Sequence, residues 1–393
     1  MSVLKKFLGQ TAVYGLSTVF SRLFNFILTP LFTKVYAPGV YGIFTKLYSY
    51  ASLINAVLAF GMESTFFRYL NKYEDKKQEV YNNSFLCIAF ISGLFLLSGS
   101  VFADSIAGWI NNGVKIQVHD YQDYIRFFVW ILFIDAISVI PFAKIRADGK
   151  AFRYGLIKFL NIGFFVGFNL CFLFVIPPYL DHHLPLSGWI GSWYRQGWVG
   201  YVFISNLLAS ALTLILLLPE FLQIRLRFDK GLFFKMLAYS WPILVANLSF
   251  IVNENLDKIA LSKLLPESVA DYEVGVYGAV CKISVFLSIF NTAFRLGAEP
   301  FFFSHAKQAN ARKTYAVILH YFVIALSILF LVLVANIEIL KHFISNPNYW
   351  VGLPAVPYLL FGYVCLVLKM RSGKKLTWYM PPTSGILCKA GGL

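Results

Sequence analysis

The sequence predicts an all-α polytopic membrane protein with about ten transmembrane helices, and its composition, its apolar stretches and its loop charges all point there. Apolar and aromatic residues make up 58% of the 393 residues, whereas charged residues make up only 13%. A soluble domain usually carries about 25% charged residues, so a soluble chain of this composition could not cover its own surface. The mean hydropathy of +0.66 agrees with this assignment.

Ten apolar stretches are each long enough to cross a hydrocarbon core of about 30 Å as a helix. They run over residues 11–32, 41–62, 84–102, 124–143, 154–176, 199–218, 236–255, 275–299, 315–335 and 351–368. Open strands are excluded for these stretches because lipid offers no partner to unpaired backbone groups.

The basic residues lie in short clusters between these stretches. When the N-terminus is placed in the cytoplasm, the cytoplasmic loops and termini hold 21 Lys and Arg residues and the opposite loops hold 6. This alternation follows the positive-inside rule and predicts a cytoplasmic N-terminus. The net charge of +15 therefore reflects the orientation of the chain in the membrane, and we predict no nucleic-acid partner.

An internal repeat divides the chain into two related halves. Residues 36–68 align without gaps with residues 272–304, and twelve of the 33 aligned positions are identical. The identical pairs include Gly39/Gly275, Tyr41/Tyr277, Gly42/Gly278, Lys46/Lys282, Ser52/Ser288, Asn55/Asn291, Gly61/Gly297 and Glu63/Glu299. The copies fall in spans 2 and 8, so the repeat unit is six spans and both copies enter the membrane from the same side.

Two lobes related by a pseudo-twofold axis along the membrane normal are therefore expected, as in parallel-repeat transporters. Residues 1–220 would form a six-helix lobe, and residues 221–368 would form an incomplete second lobe of four helices. Such symmetry favours transport, because substrates of these transporters bind between the repeats.

Charged side chains inside the spans are predominantly basic. A charge at bilayer depth costs about 2.5–3.5 kcal/mol on insertion scales and normally faces a cavity or a partner. The intramembrane cations are Arg22, Lys46, Lys158, Lys282 and Arg295, and the acids at comparable depth are Asp135 and Glu254, with Glu63 and Glu299 near span ends. A net positive interior suits an anionic substrate, above all a phosphate, which arginine can hold with two hydrogen bonds.

Polar residues recur at helical spacing on spans 1, 2, 7 and 8, which predicts a water-accessible cleft between the halves. The candidate substrate-binding residues are Arg22, Asn25, Lys46, Asn55, Lys282, Asn291 and Arg295. Glu254 and Asp257 are candidate coupling or partner acids. The alternative is that lysines near span ends snorkel to the headgroups and that Ser and Asn bond neighbouring helices.

No catalytic or nucleotide-binding motif accompanies these residues. The sequence contains no GxxxxGK[ST], HExxH or GxSxG pattern and no Cys/His metal spacing. We therefore predict a protein that is not an enzyme and that has no cofactor, no catalytic residue and no metal site.

Two segments resemble a known family. The pattern TAVYGLSTVFSRLFNFILTPLFTKVYAPGVYGIF, followed by FGMESTFFRYL, resembles the start of polysaccharide biosynthesis proteins, the Wzx-type oligosaccharide flippases. LAYSWPILVANLSFIVNENLDKIALSKLL resembles their seventh helix, with Asp257 and Lys258 at the place of a common acid–base pair. Arg22 matches the position of a first-helix arginine. These flippases belong to the multidrug/oligosaccharidyl-lipid/polysaccharide exporter superfamily.

The resemblance implies a bacterial inner-membrane protein that flips an undecaprenyl-diphosphate-linked oligosaccharide from the cytoplasmic to the periplasmic leaflet for O-antigen or capsule biosynthesis. The implied partners are this anionic lipid-linked oligosaccharide and membrane lipids. Polysaccharide polymerase and other assembly proteins are further candidate partners.

The end of the chain departs from the family. Members have 12 to 14 spans, whereas residues 369–393, KMRSGKKLTWYMPPTSGILCKAGGL from Lys369 onward, carry no span pattern and match nothing in the family. A frameshift or premature stop would explain this segment, which we expect to be disordered. Reading the encoding DNA in its other frames just past about codon 365 tests the idea, and a lack of further apolar spans there would reject it.

Two other functions remain open from the sequence. A drug or cation antiporter of the same superfamily would carry a cavity dominated by acids. A membrane-embedded polymerase or ligase of surface sugars would carry a large outer loop with catalytic Arg or His.

Overall fold

The computed structural model describes residues 26–111, 118–182, 185, 187–225, 227–305 and 311–372. Every regular element in these ranges is helical, which confirms the predicted all-α fold class. The last helix continues to Ser372, so residues 369–372 of the predicted tail are helical and not disordered. The rest of the tail lies outside the described residues, and its predicted disorder stays a prediction.

Sixteen α-helices are numbered here along the described chain. The first eight are α1 (Phe26–Val35), α2 (Pro38–Ala59), α3 (Met62–Lys72), α4 (Lys77–Val101), α5 (Ala103–Ile110), α6 (Val118–Ala147), α7 (Ala151–Leu170) and α8 (Ile176–Asp181). The others are α9 (Ser187–Trp193), α10 (Gly200–Leu216), α11 (Leu218–Phe221), α12 (Lys230–Leu264), α13 (Glu267–His305), α14 (Ala311–Ala335), α15 (Ile337–Leu340) and α16 (Val356–Ser372).

Each of the ten predicted spans overlaps a helix. Among the described residues, seven helices are long and apolar enough to cross a membrane, and α1 and α10 are shorter apolar helices. The chain is therefore a multi-pass membrane protein. Several helices extend beyond the predicted stretches, because hydropathy marks the lipid-facing part of a helix and not its ends. The predicted tenth span begins as a 3-10 turn, Pro347–Ala355, before α16.

The chain forms two compact units. The split unit, as we call it, comprises the described residues up to Thr45 and from Asp271 to residue 372. The continuous unit comprises the described residues from Lys46 to Ala270. This division follows packing and differs from the predicted lobes 1–220 and 221–368, which follow the repeat and stay a prediction.

Span 2 is interrupted where the sequence predicted one helix. Phe60 and Gly61 both have positive φ, 49° and 62°, so the chain turns between α2 and α3. The Ser240 hydroxyl of α12 donates to the Phe60 carbonyl, which supplies the bond that the interrupted helix lacks. A Cβ on Gly61 would lie 2.8 Å from Ile243 Cγ2, so α12 packs directly against the break. The repeat mate of Gly61, Gly297, lies within the uninterrupted helix α13.

The segment that joins α11 to α12 is held by the start of α4. The Asn83 side chain donates to the Asp229 carbonyl at 2.9 Å and accepts from the Asp229 N–H at 3.2 Å. Asp229 caps α12 by accepting from the Leu232 N–H at 3.0 Å, and Lys76 Nζ lies 3.1 Å from its carboxylate. The hydrogen bond from the Leu232 N–H and, next to it, the contact with Lys76 lower the pKa of the Asp229 carboxyl below its ordinary value.

A buried ion pair fixes α11 within the continuous unit. Arg153 of α7 donates to the Glu220 carboxylate at 2.9 Å, and the Glu220 side chain is only 2% exposed. The Tyr81 hydroxyl donates to the Glu220 carbonyl at 2.9 Å. A buried carboxylate needs such partners because an unpaired charge in a low-dielectric interior is strongly unfavourable.

Within the split unit, α2 and α13 cross with their backbones in contact. A Cβ on Gly42 would lie 1.7 Å from the Asp271 carbonyl oxygen, and a Cβ on Gly275 would lie 1.9 Å from the Pro38 carbonyl oxygen. Both glycines belong to the repeated GVYG motif. Small residues permit this approach, as at many helix crossings in membranes.

We predict that Gly42→Ala and Gly275→Ala destabilise the protein by about 1–3 kcal/mol or more, because the added methyl group must displace a carbonyl of the partner helix. Unfolding of the purified protein in detergent would measure the loss. Gly39→Ala is the matched control, since a Cβ on Gly39 would meet nothing within 4 Å. Equal stability of all three variants would contradict the crossing.

Candidate functional site

The polar face of α2 turns toward helices of its own half. The Asn206 amide of α10 donates to the Tyr48 hydroxyl at 2.9 Å, and the Tyr48 ring meets the Phe128 ring of α6 edge-on at 5.1 Å. Seven residues further along α2, and so on the same face, Asn55 lines a cavity between α2, α6, α7 and α10. The sequence had assigned this face to a cleft between the halves.

The cavity has a volume of about 280 Å³ and lies wholly within the continuous unit. It is lined by Asn55, Glu63, Asp135, Ser138, Val139, Phe142, Arg146, Tyr154, Lys158, Asn161, Asn206, Ser210 and Thr213. Most of these side chains are polar, although they lie on helices long and apolar enough to span a membrane or on the shorter apolar helix α10. The cavity is therefore a candidate functional site, because polar groups at bilayer depth normally line a substrate or ion pathway.

The cavity extends from one end of α6 toward the middle of that helix. Asp135 and Arg146 both line it, and they are about three turns, or about 16 Å, apart along the axis of α6. This length is about half the thickness of a hydrocarbon core. The cavity therefore extends along α6 over about half of the length that a helix needs to cross a bilayer.

Two carboxylates and two cations line the cavity. Arg146 forms an ion pair with Glu63 of α3, and both side chains are half-buried. The Ser210 hydroxyl of α10 donates to the Asp135 carboxylate at 2.8 Å. Lys158 of α7 interacts electrostatically with Asp135. The positive and negative charges of the lining are therefore equal in number.

Both cations of the cavity lie close to aromatic rings. The Lys158 Nζ lies 4.0 Å from the centroid of the Phe142 ring. The Arg146 guanidinium lies 4.9 Å from the Phe67 ring and 5.5 Å from the Tyr154 ring. Cation–π contacts of this kind stabilise a charge where water is scarce.

Amide and hydroxyl groups complete the lining. The Asn161 amide of α7 donates to the Thr213 hydroxyl of α10 at 2.9 Å. The Thr213 and Ser138 hydroxyls each donate to a carbonyl one turn earlier in their own helices. These bonds orient the side chains and leave lone pairs and amide hydrogens for a bound molecule.

Predicted residues of spans 1 and 2 are only partly brought together. Arg22 and Asn25 lie outside the described residues. Lys46 is 2% exposed, and its Nζ lies 5.0 Å from the centroid of the Tyr121 ring of α6. Lys46 and Asn55 are nine residues apart on α2, which places them on opposite faces about 14 Å apart along the axis. They cannot contact the same small group.

Predicted acids on α12 lie apart from the cavity. The Lys258 ammonium lies 2.9 Å from the Asp257 carboxylate, so the acid–base pair that the sequence singled out is an ion pair. The same ammonium donates to the Glu254 carbonyl at 3.0 Å. The Glu254 side chain is exposed and is not part of the cavity lining.

Predicted residues of span 8 belong to the split unit. Lys282 and Asn291 lie on α13 and are half-buried. The backbone of Arg295 continues α13, and its side chain lies outside the described residues. Their role as substrate ligands stays a prediction.

Sequence reasoning missed the grouping of Asp135, Arg146 and Lys158. It counted Asp135 and Lys158 as intramembrane charges, and it placed Arg146 in a loop because the apolar stretch ended at residue 143. Nothing in the pattern paired spans 4, 5 and 6 with span 2.

Among the described residues, no cluster of three His, Cys, Asp or Glu side chains could hold a metal ion.

Comparison with known proteins identifies the fold. A multidrug resistance transporter of the MATE family in the MOP superfamily, solved in an inward-facing conformation, aligns with a TM-score of 0.59 and 14% identity over 90% of this chain and 85% of that chain. A MATE protein solved in complex with MaD3S aligns with a TM-score of 0.51 and 13% identity over 94% of this chain and 86% of that chain.

No family profile and no curated protein matches the sequence. At the identities of the two structures, the likeness concerns the fold alone. The chain therefore has the fold of the MATE transporters to which it is similar. Its resemblance to oligosaccharide flippases stays a prediction.

We predict that Glu63 and Arg146 stabilise the protein as a pair. Glu63→Ala and Arg146→Ala should be non-additive, with a coupling free energy of about 1–3 kcal/mol, because either single change leaves a half-buried charge without its counter-charge. A double-mutant cycle on unfolding in detergent measures it. The exposed Arg126–Asp123 pair, at 3.9 Å, is the control and should give about 0.3–0.5 kcal/mol. Additive effects at both pairs would refute the prediction.

Proposed function

We propose that the protein is a transporter that moves an anionic lipid-linked oligosaccharide from the cytoplasmic to the outer leaflet of a bacterial inner membrane by alternating access. The observation that carries the proposal is the cavity of charged, amide and hydroxyl side chains on apolar helices, most of which are long enough to span a membrane. Burying such groups at bilayer depth is unfavourable, and they are normally retained where a polar molecule or ion must pass.

Three further observations support a polar, anionic cargo. The spans carry more cations than acids, which suits a diphosphate. The sequence resembles oligosaccharide flippases in both halves. The fold is that of MOP superfamily transporters. The predicted lobes 1–220 and 221–368 would be the two bodies between which the substrate passes, with the N-terminus in the cytoplasm.

The alternatives fit the cavity less well. A cavity for cationic drugs would be dominated by acids, whereas this one balances Glu63 and Asp135 with Arg146 and Lys158. A surface-sugar polymerase or ligase would need a large catalytic loop, whereas the longest predicted outer loops have about 20 residues.

In this proposal, cations of spans 1, 2 and 8 hold the diphosphate. The assigned diphosphate ligands are Arg22, Lys46, Lys282 and Arg295, with Asn25 and Asn291 as neutral ligands. Asn55 lines the cavity on the opposite face of α2 from Lys46 and is assigned to another part of the substrate. Glu254 and Asp257 remain proposed coupling or partner acids. Polymerase and other assembly proteins remain proposed partners.

Substitution of the proposed cations tests the function in cells. Arg22→Ala, Lys46→Ala and Arg295→Ala should each lower surface polysaccharide by about tenfold or more, with lipid-linked repeat units accumulating inside, because each loses a charge-assisted contact. Surface polysaccharide and extracted lipid intermediates would be quantified at matched protein levels in the membrane.

Lys34→Ala is the matched control, because Lys34 is exposed at the end of α1. Wild-type polysaccharide in all three cation variants would reject the proposed diphosphate ligands. Unchanged polysaccharide and unchanged lipid intermediates after deletion of the gene would reject the function itself.

A further inference from the structure

We infer that the cavity of the continuous unit is a subsite for a neutral sugar ring of the transported lipid, separate from the place where its diphosphate binds. The inference rests on the proposed function and names the part of the substrate that this site takes. It follows from the charge balance, the chemistry of the lining and the size of the cavity.

The charges of the cavity already have partners within it. Glu63 pairs with Arg146, and Asp135 accepts from Ser210 and interacts with Lys158. A diphosphate entering this site would meet two carboxylates, and a cationic drug would meet two cations. Because like charges repel strongly in a low-dielectric site, the lining disfavours either ion and tolerates a neutral molecule.

The neutral part of the lining matches the chemistry of a sugar. Asn55, Asn161 and Asn206 each offer amide donors and a carbonyl acceptor, and Ser138, Ser210 and Thr213 offer hydroxyls. Every hydroxyl of a pyranose both donates and accepts. A lining that interleaves donors and acceptors can satisfy such a ring from several sides, whereas an apolar polyprenyl chain would leave these groups without partners.

Asn55 is the amide of this lining best placed to receive a ligand. Asn161 and Asn206 are bonded to Thr213 and Tyr48 across the helix bundle. Within the part of the chain that the structure describes, the Asn55 amide faces the cavity, is exposed and makes no hydrogen bond. It can therefore bind a sugar hydroxyl without breaking an existing contact.

The cavity size agrees with a small part of the substrate. Its volume of about 280 Å³ lies near the lower end of the roughly 300–1,000 Å³ typical of small-molecule sites. It can enclose a sugar ring but not a whole oligosaccharide with its lipid. The rest of the substrate must lie outside it.

Binding of two lipids that differ by one sugar tests the inference. Full-length protein in nanodiscs would be titrated with undecaprenyl diphosphate and with undecaprenyl diphosphate bearing one N-acetylglucosamine. The wild type should bind the sugar-bearing lipid more tightly. Asn55→Ala and Asn161→Ala should each weaken that binding by about threefold to tenfold and leave the affinity for the sugar-free lipid unchanged.

Asn71→Ala is the matched control, since Asn71 is exposed and, among the described residues, its amide bonds only the Phe67 carbonyl of its own helix. Binding of the sugar-free lipid reports whether each variant is folded. If the wild type prefers the sugar-bearing lipid and the cavity variants keep that preference, the subsite is wrong while the proposed function stands. If the variants lose the same affinity for both lipids, the cavity does not recognise the sugar. If the wild type binds neither lipid, the proposed function fails and the subsite fails with it.

Discussion

A bilayer offers no hydrogen-bonding partner to a polar group, and the polar features of this protein follow from that constraint. Backbone groups are satisfied within helices, and where span 2 is interrupted at Phe60 the Ser240 hydroxyl replaces the missing bond. Charged side chains are satisfied in pairs, as at Glu220 with Arg153 and Glu63 with Arg146. Each such partner comes from another helix, so the packing of the helices also provides the partners of the polar groups.

The repeated segment illustrates how packing adapts one sequence to two environments. Its GVYG motif provides the crossing of α2 and α13, where Gly42 and Gly275 lie against the backbone of the opposite helix. Its third conserved glycine, Gly61 or Gly297, behaves differently in the two copies. Gly61 lies in a break that α12 supports, whereas Gly297 lies inside α13. A glycine permits either backbone conformation, and at Gly61 the packing of α12 supports the break.

In the proposed function, the cavity and the predicted cations would bind different parts of the substrate. The lining of the cavity is balanced in charge and rich in neutral hydrogen-bonding groups. Lys46, buried beside Tyr121, and Lys282 of α13 lie outside that lining. A lipid-linked oligosaccharide carries both a charged diphosphate and neutral sugars. Separate regions of different polarity would let one protein bind both parts, each by the chemistry that suits it.

The sequence by itself determined the class of the protein and the approximate course of its helices. Span length and lipid solvation are local properties, so ten apolar stretches could be located from composition alone, and each overlaps a helix. The repeat likewise needed no structure, because identical Lys, Asn, Gly and Glu residues in register cannot arise from apolar composition. The pairing of Asp257 with Lys258 was also accessible, because the two residues are adjacent in the chain.

Only the tertiary structure decided where the polar groups meet. Helical spacing places Tyr48 and Asn55 on one face but does not say which helices that face meets. In the structure, Tyr48 contacts α6 and α10, and Asn55 lines the cavity beside them. Asp135, Arg146 and Lys158 come together from α6 and α7 because of how these helices pack against α3 and α10. Which faces of packed helices meet depends on the side chains of every neighbour, and that information is not local to any one span.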